Sequence, residues 1–148
     1  MLTLIQMDSR SEHRLERILI HPDFQEEFAN LITHSGEEER YKSAIEIKLH
    51  FLNQEIKNEE LRGSFNITFG WFKKLSYAPN IMSLHINQLN NLRLLSAIRR
   101  HKNVNYVILL SGFFEKAGKS KTDYNNTAIS QNRFDEIKDG FIIERGIT

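Results

Sequence analysis

Three apolar-rich runs, Ile81–Asn87, Leu92–Arg99 and Val104–Phe113, follow one another with only Gln88-Leu89-Asn90-Asn91 and Arg100-His101-Lys102-Asn103 between them. A parallel connection needs a dozen or more residues, so breaks this short permit only antiparallel neighbours. The runs therefore predict three consecutive strands of one sheet, with Leu92, Leu94, Ile98, Val107 and Leu109 among the buried residues.

Such a sheet needs a cover, and the preceding sequence supplies it. Arg14–Ile20 reads as a strand that ends at His21-Pro22, where proline stops pairing and opens a helix. Met1–Met7 is a further strand candidate. Phe24, Phe28, Leu31 and Ile32 keep helical spacing over residues 22–34, and Gly36 is placed to close that helix. Ser35 is placed to cap a second helix over 37–58, Glu37 to Glu39 favour its positive end, and Tyr41, Ala44, Ile45, Leu49, Leu52 and Ile56 form its apolar stripe. Gly63–Pro79, rich in aromatic residues, has no clear assignment. Thr122 is placed to cap a last helix reaching Asp139, with Gly140 to end it. The resulting expectation is an α+β fold: an N-terminal helical hairpin packed on a twisted antiparallel sheet, with a C-terminal helix.

With 148 residues, 40% of them hydrophobic and 26% charged, the chain suits one domain with a real core. It has no cysteine, which excludes disulfides and thiolate metal sites. Met1–Arg10 shows no basic leader followed by a long apolar run, and no apolar stretch approaches membrane-spanning length, so the reading is cytoplasmic with no membrane partner.

The net charge of +1 conceals a sorted distribution. Residues 63–121 hold nine Lys or Arg against the single acid Glu115, whereas residues 1–62 hold eight basic and thirteen acidic side chains. A basic middle of this kind suits phosphates or an acidic partner, with binding that weakens steeply with salt. It is equally what basic strands between acidic helices would produce.

Specific chemistry is narrower. The six histidines show no helical metal-ligand spacing, the glycines form no phosphate loop, and Leu109 stands where a nucleophile elbow before Ser111 would need glycine. No cofactor is implied. If Met82, Leu84 and Ile86 face the core, alternation turns Ser83, His85 and Asn87 the other way, with Arg93 of the next strand nearby. Arg99, Arg100, His101 and Lys102 crowd the following turn, and Lys116, Lys119 and Lys121 leave the last strand. RNA cleavage by its own 2′-hydroxyl needs a base, a cation for the pentacovalent phosphorane and an acid for the leaving oxygen, but no metal.

The order of these features resembles the RelE/ParE toxin superfamily, and within it the phage-derived, HigB-like branch. The resemblance covers about residues 14–139. It rests on the strand entering His21-Pro22-Asp23-Phe24, the helical hairpin, Lys73-Lys74-Leu75, the run Leu92–Ile98 bearing Arg93, and Val107–Lys116. Leu109–Phe113 matches a leucine-leucine-histidine-glycine-phenylalanine signature except that Ser111 replaces the histidine, and His85-Ile86-Asn87 stands where glutamate-leucine-arginine is usual. Met1–His13 looks like an extension of the family domain.

The resemblance implies a type II toxin that cleaves mRNA, usually on the ribosome, and is neutralised by a cognate antitoxin. Arg93, His85, His101 and Ser111 are then the catalytic candidates, and Lys73, Lys74, Arg99, Arg100, Lys102, Lys116, Lys119 and Lys121 the RNA-binding ones. Serine is a poor proton donor, so His85 or His101 would have to act as acid, and Ser111→His is expected to raise cleavage. The alternative is a non-catalytic member of the fold, a degenerate toxin, gyrase-binding poison or phage regulator, that works by binding a partner.

Overall fold

The computed structural model describes residues 1–7, 14–63, 68–115 and 121–145. The elements are β1 Thr3–Gln6, β2 Ile18–Ile20, α1 Pro22–Thr33, α2 Glu38–Leu61, β3 Phe72–Leu75, β4 Ala78–Ile86, β5 Leu92–His101, β6 Val104–Phe114, α3 Lys121–Asp135 and β7 Ile142–Glu144. Among the described residues the seven strands form one sheet in the order β3-β4-β5-β6-β2-β1-β7.

The expected fold is corrected in two respects. Strands β1 and β2 come before the helices, and the sheet is mixed rather than antiparallel: β2 runs parallel to β6, and β1 parallel to β7. The physical reason is loop length. The chain between β2 and β6 is long enough to cross over, so the antiparallel rule that governs β4 to β6 does not extend to β2. The consecutive meander β4-β5-β6 agrees with the short breaks. Its two turns use residues with positive φ, Asn90 and Asn91 in one, Lys102 and Asn103 in the other.

His21 begins α1: its Nδ1 accepts the Asp23 N–H at 3.1 Å, and Pro22 sits at the first helical position. Ser35 accepts the Glu37 N–H at 3.1 Å, but Glu37 itself, not Ser35, is the cap residue of α2. Gly36, with φ of 74°, gives the tight hairpin between the helices. The unassigned segment yields β3, an edge strand paired antiparallel with β4. The last helix ends at Asp135, short of Asp139, and β7 follows it with no forecast.

Alternation divides the sheet into two buried faces. Leu84, Ile86, Leu92, Leu94, Val107 and Leu109 meet Phe24, Ile45, Leu49 and Leu52 of α1 and α2. Ile81, Leu95, Ala97, Ile108 and Leu110 meet Phe134 of α3, together with Ile137 and Phe141. A bulge interrupts this alternation in β6: Leu95 pairs with Ser111 and Ser96 with Leu109, leaving Leu110 as the extra residue.

Candidate functional site

His85 on β4 and Arg93 on β5 are directly opposed in the ladder. Both stand on the α3 side, because their neighbours Leu84 and Leu94 belong to the α1/α2 core. Together with Ser83, Leu95, Phe113, Glu115, Tyr77 and Thr127 they line a cavity of about 200 Å³. The cavity mixes polar side chains with Leu95 and Phe113, and Thr127 of α3 forms part of its wall.

Charge in the cavity is balanced at close range. Arg93 Nη2 lies 2.6 Å from Glu115 Oε2, and Nη1 donates to Asn87 Oδ1 at 3.0 Å. Burial holds the His85 imidazole below its ordinary pKa, and the cations of Arg93 and Lys73 push the same way, while Glu115 opposes them. His85 is therefore a neutral base near pH 7, beside a fixed guanidinium. Thr127 Oγ1 is buried in the cavity wall with no hydrogen-bond partner. A ligand oxygen placed there would meet a hydroxyl, a cation and a neutral imidazole.

The other catalytic candidates lie elsewhere. Ser111 is 1% exposed, and its hydroxyl shares a 2.6 Å hydrogen bond with Ser130 of α3. The bulge turns it inward against the helix, and it has no route to solvent chemistry. His101 closes the far end of β5, eight residues or about 26 Å along the strand from Arg93. There it stacks on Phe141, with ring centroids 4.6 Å apart.

The RNA-binding candidates separate into two groups. Lys73, opposite Ser83, belongs with the His85 cavity. Lys74, Arg99 and Arg100 line a different cavity at the far end of β5, with Lys102 in the adjoining turn. Lys116 and Lys119, like the side chains of Lys121 and Thr122, lie outside the described residues.

Sequence reasoning passed over Glu115 and Thr127 as site residues. Glu115 carried a signal, being the one acid in the basic middle. Thr127 carried none, since only the docking of α3 brings it to the cavity.

Among the described residues, His21, Asp23 and Glu136 are also close enough to suggest a metal. Their chemistry opposes it. With Nδ1 accepting the Asp23 N–H, a neutral ring carries its proton on Nε2, which lies 3.5 Å from Glu136 Oε1 and offers no lone pair. Within this cluster His21 is the buried cap of α1, while Asp23 and Glu136 are exposed.

No family model, no curated protein and no solved structure matches this chain. Likeness to the RelE/ParE toxins thus rests on the residues quoted for it above. Among the described residues, no helix is long and apolar enough to cross a membrane.

Proposed function

We propose that the protein is a toxin of the RelE/HigB kind that cleaves RNA at the His85–Arg93 cavity, in cytoplasm, on mRNA held by the ribosome, and that a cognate antitoxin masks it. The observation that carries this reading is the direct pairing of His85, held toward its neutral form, with Arg93 across the β4–β5 ladder in one cavity. In the proposed step His85 takes the proton of a 2′-hydroxyl. The 2′-oxygen attacks phosphorus, the bond to the 5′-oxygen breaks, and that oxygen takes a proton from water. Products are a 2′,3′-cyclic phosphate and a 5′-hydroxyl. Arg93 and Lys73 stabilise the phosphorane charge, where one well-placed donor is worth about 10²–10³ in rate.

The test is purified protein with ribosomes and message. Arg93→Ala and His85→Ala should each lower cleavage by at least about a hundredfold while the fold persists. Wild-type protein that leaves the message intact defeats the reading.

A second reading is favoured by the contacts of Arg93 itself. Its guanidinium is already paired with Glu115 and Asn87, so a phosphate has to compete with a carboxylate at 2.6 Å. A non-catalytic protein of the same kind, acting by partner binding, would keep such an internal pair. Glu115→Gln separates the two: release of Arg93 raises RNA cleavage in an enzyme and produces none in a binding protein.

A further inference from the structure

The cavity that holds His85 and Arg93 extends past them. His85 of β4, Arg93 of β5 and Phe113 of β6 form one row across the sheet, and Ser83 with Leu95 forms the next on the same face, two residues along each strand or about 7 Å away. Leu75 of β3 and Tyr77 of the following turn also line it, and Thr127 of α3 completes the wall. A volume of about 200 Å³ is below the roughly 300–1,000 Å³ of pockets for drug-sized ligands. It suits one flat ring rather than a dinucleotide.

Thr127 is 8% exposed, and its Oγ1 has no hydrogen-bond partner. Three residues on, and therefore on the same face of α3, Ser130 shares its hydroxyl with Ser111 at 2.6 Å. One hydroxyl of this helix face is satisfied inside the fold, and the other is left open in the cavity wall. A buried hydroxyl without a partner costs free energy, which a ligand atom that pairs with it recovers. The remaining wall is aliphatic at Leu75 and Leu95 and aromatic at Tyr77 and Phe113. A phosphate gains little from such a wall, whereas a flat heterocycle with hydrogen-bonding edges gains from both parts.

We infer that this cavity is a nucleobase subsite for a single RNA nucleotide, in which Thr127 is the specificity-determining residue. The inference rests on RNA being the ligand of the His85–Arg93 pair. With the phosphate at Arg93, the base attached to it falls toward the neighbouring row, between Ser83 and Thr127. Unpaired bases of single-stranded RNA are recognised by stacking on aromatic side chains and by hydrogen bonds to their edges. The Thr127 hydroxyl both donates and accepts, and it discriminates because a base of the wrong edge pattern leaves it unpaired.

Backbone amide NMR of the full chain tests the subsite with ribose 5-phosphate, which has no base, and with each of the four ribonucleoside 5′-monophosphates. None of these contains a phosphodiester bond, so binding is read apart from cleavage. The monophosphates should move the signals of Ser83, Leu95 and Thr127 and favour one base by about three- to tenfold, the worth of one neutral hydrogen bond. Ribose 5-phosphate should move only those of His85 and Arg93. Thr127→Val keeps the shape of the side chain and removes a hydroxyl with no partner in the fold, so its melting temperature should equal or exceed that of wild type while the preference among bases disappears. Ser83, Leu95 and Thr127 signals that no monophosphate moves, equal movement by ribose 5-phosphate, or a folded Thr127→Val protein with the wild-type preference overturns the subsite. Message cleavage without base-dependent shifts sinks the subsite alone, and base-dependent shifts without cleavage keep the subsite and sink the enzyme.

Discussion

The two faces of the sheet are built from the same strands yet do different things. Against α1 and α2 the face is apolar and continuous, with Leu84, Ile86, Leu92, Leu94, Val107 and Leu109 all at most 1% exposed. Against α3 it is apolar under Phe134, Ile137 and Phe141. Toward Ile86 and Leu92 it becomes Ser83, His85, Arg93, Glu115 and the Ser111–Ser130 pair. The face under α1 and α2 is closed apolar core, while the α3 side holds a cavity with polar side chains in its wall. A cavity in the sheet face is where alternation can place charged side chains without stranding them in a closed core.

The sharpest test of that division is a core truncation on the hairpin face. Leu94→Ala, fully buried against α1 and α2, should cost about 2–5 kcal/mol in chemical denaturation. His85→Ala on the opposite face of the neighbouring strand should cost clearly less. Equal losses would break the comparison.

Ser111→His comes next. The sequence alone suggests that it restores a lost acid, but the serine sits inside, against Ser130, so an imidazole overpacks the α3 interface. The expected result is a loss of about 1–3 kcal/mol with no gain in RNA cleavage. A folded variant with increased cleavage would show that the helix moves aside and the α3 face is open further than described.

Arg133→Met probes how α3 is held. Arg133 donates to the Leu110 carbonyl at the bulge, 2.6 Å, and pairs with Glu27 through both guanidinium nitrogens at 3.0 and 2.6 Å. Removing it leaves a buried carbonyl without its donor, and thermal or chemical unfolding should show a loss of about 1–3 kcal/mol. Amide exchange should rise first in α3 and leave α2 protected. Loosening in α2 instead would mean that the faces do not act separately.

The smallest effect is pH dependence. Burial holds both His21 and His85 below the ordinary histidine value, so near pH 6.5 the unfolded chain binds more protons than the folded one. Stability is then fully present above about pH 6.5 and declines as the pH falls through the depressed folded values. Melting curves from pH 7.5 to 5.5 measure this, and His85→Asn should remove the part that belongs to the α3 face. A melting temperature that rises on acidification contradicts the assignment.

Much of the scaffold was legible because its signals are local. Four-residue breaks dictated the β4-β5-β6 meander, helical spacing marked the hairpin, and His21-Pro22 marked the start of α1. Pairing of His85 with Arg93 followed from alternation across one short turn. The parallel pairings of β2 with β6 and β1 with β7 were not legible, since neither partner's sequence names the other across so long a separation. Nor was β3, whose Lys73 and Lys74 lack the apolar alternation of a central strand and fit an edge.

The sequence by itself determined which side chains share a strand face, because that depends on counting residues between turns. Only the tertiary structure decided which of them meet. The Leu110 bulge turned Ser111 into the α3 interface, the length of β5 kept His101 away from Arg93, and Lys74 of β3 came to line one cavity with Arg99 and Arg100 of β5. In each case the reason is the same. Local periodicity sets direction, whereas separation along a strand, a single extra residue or a docked helix sets distance, and chemistry depends on distance.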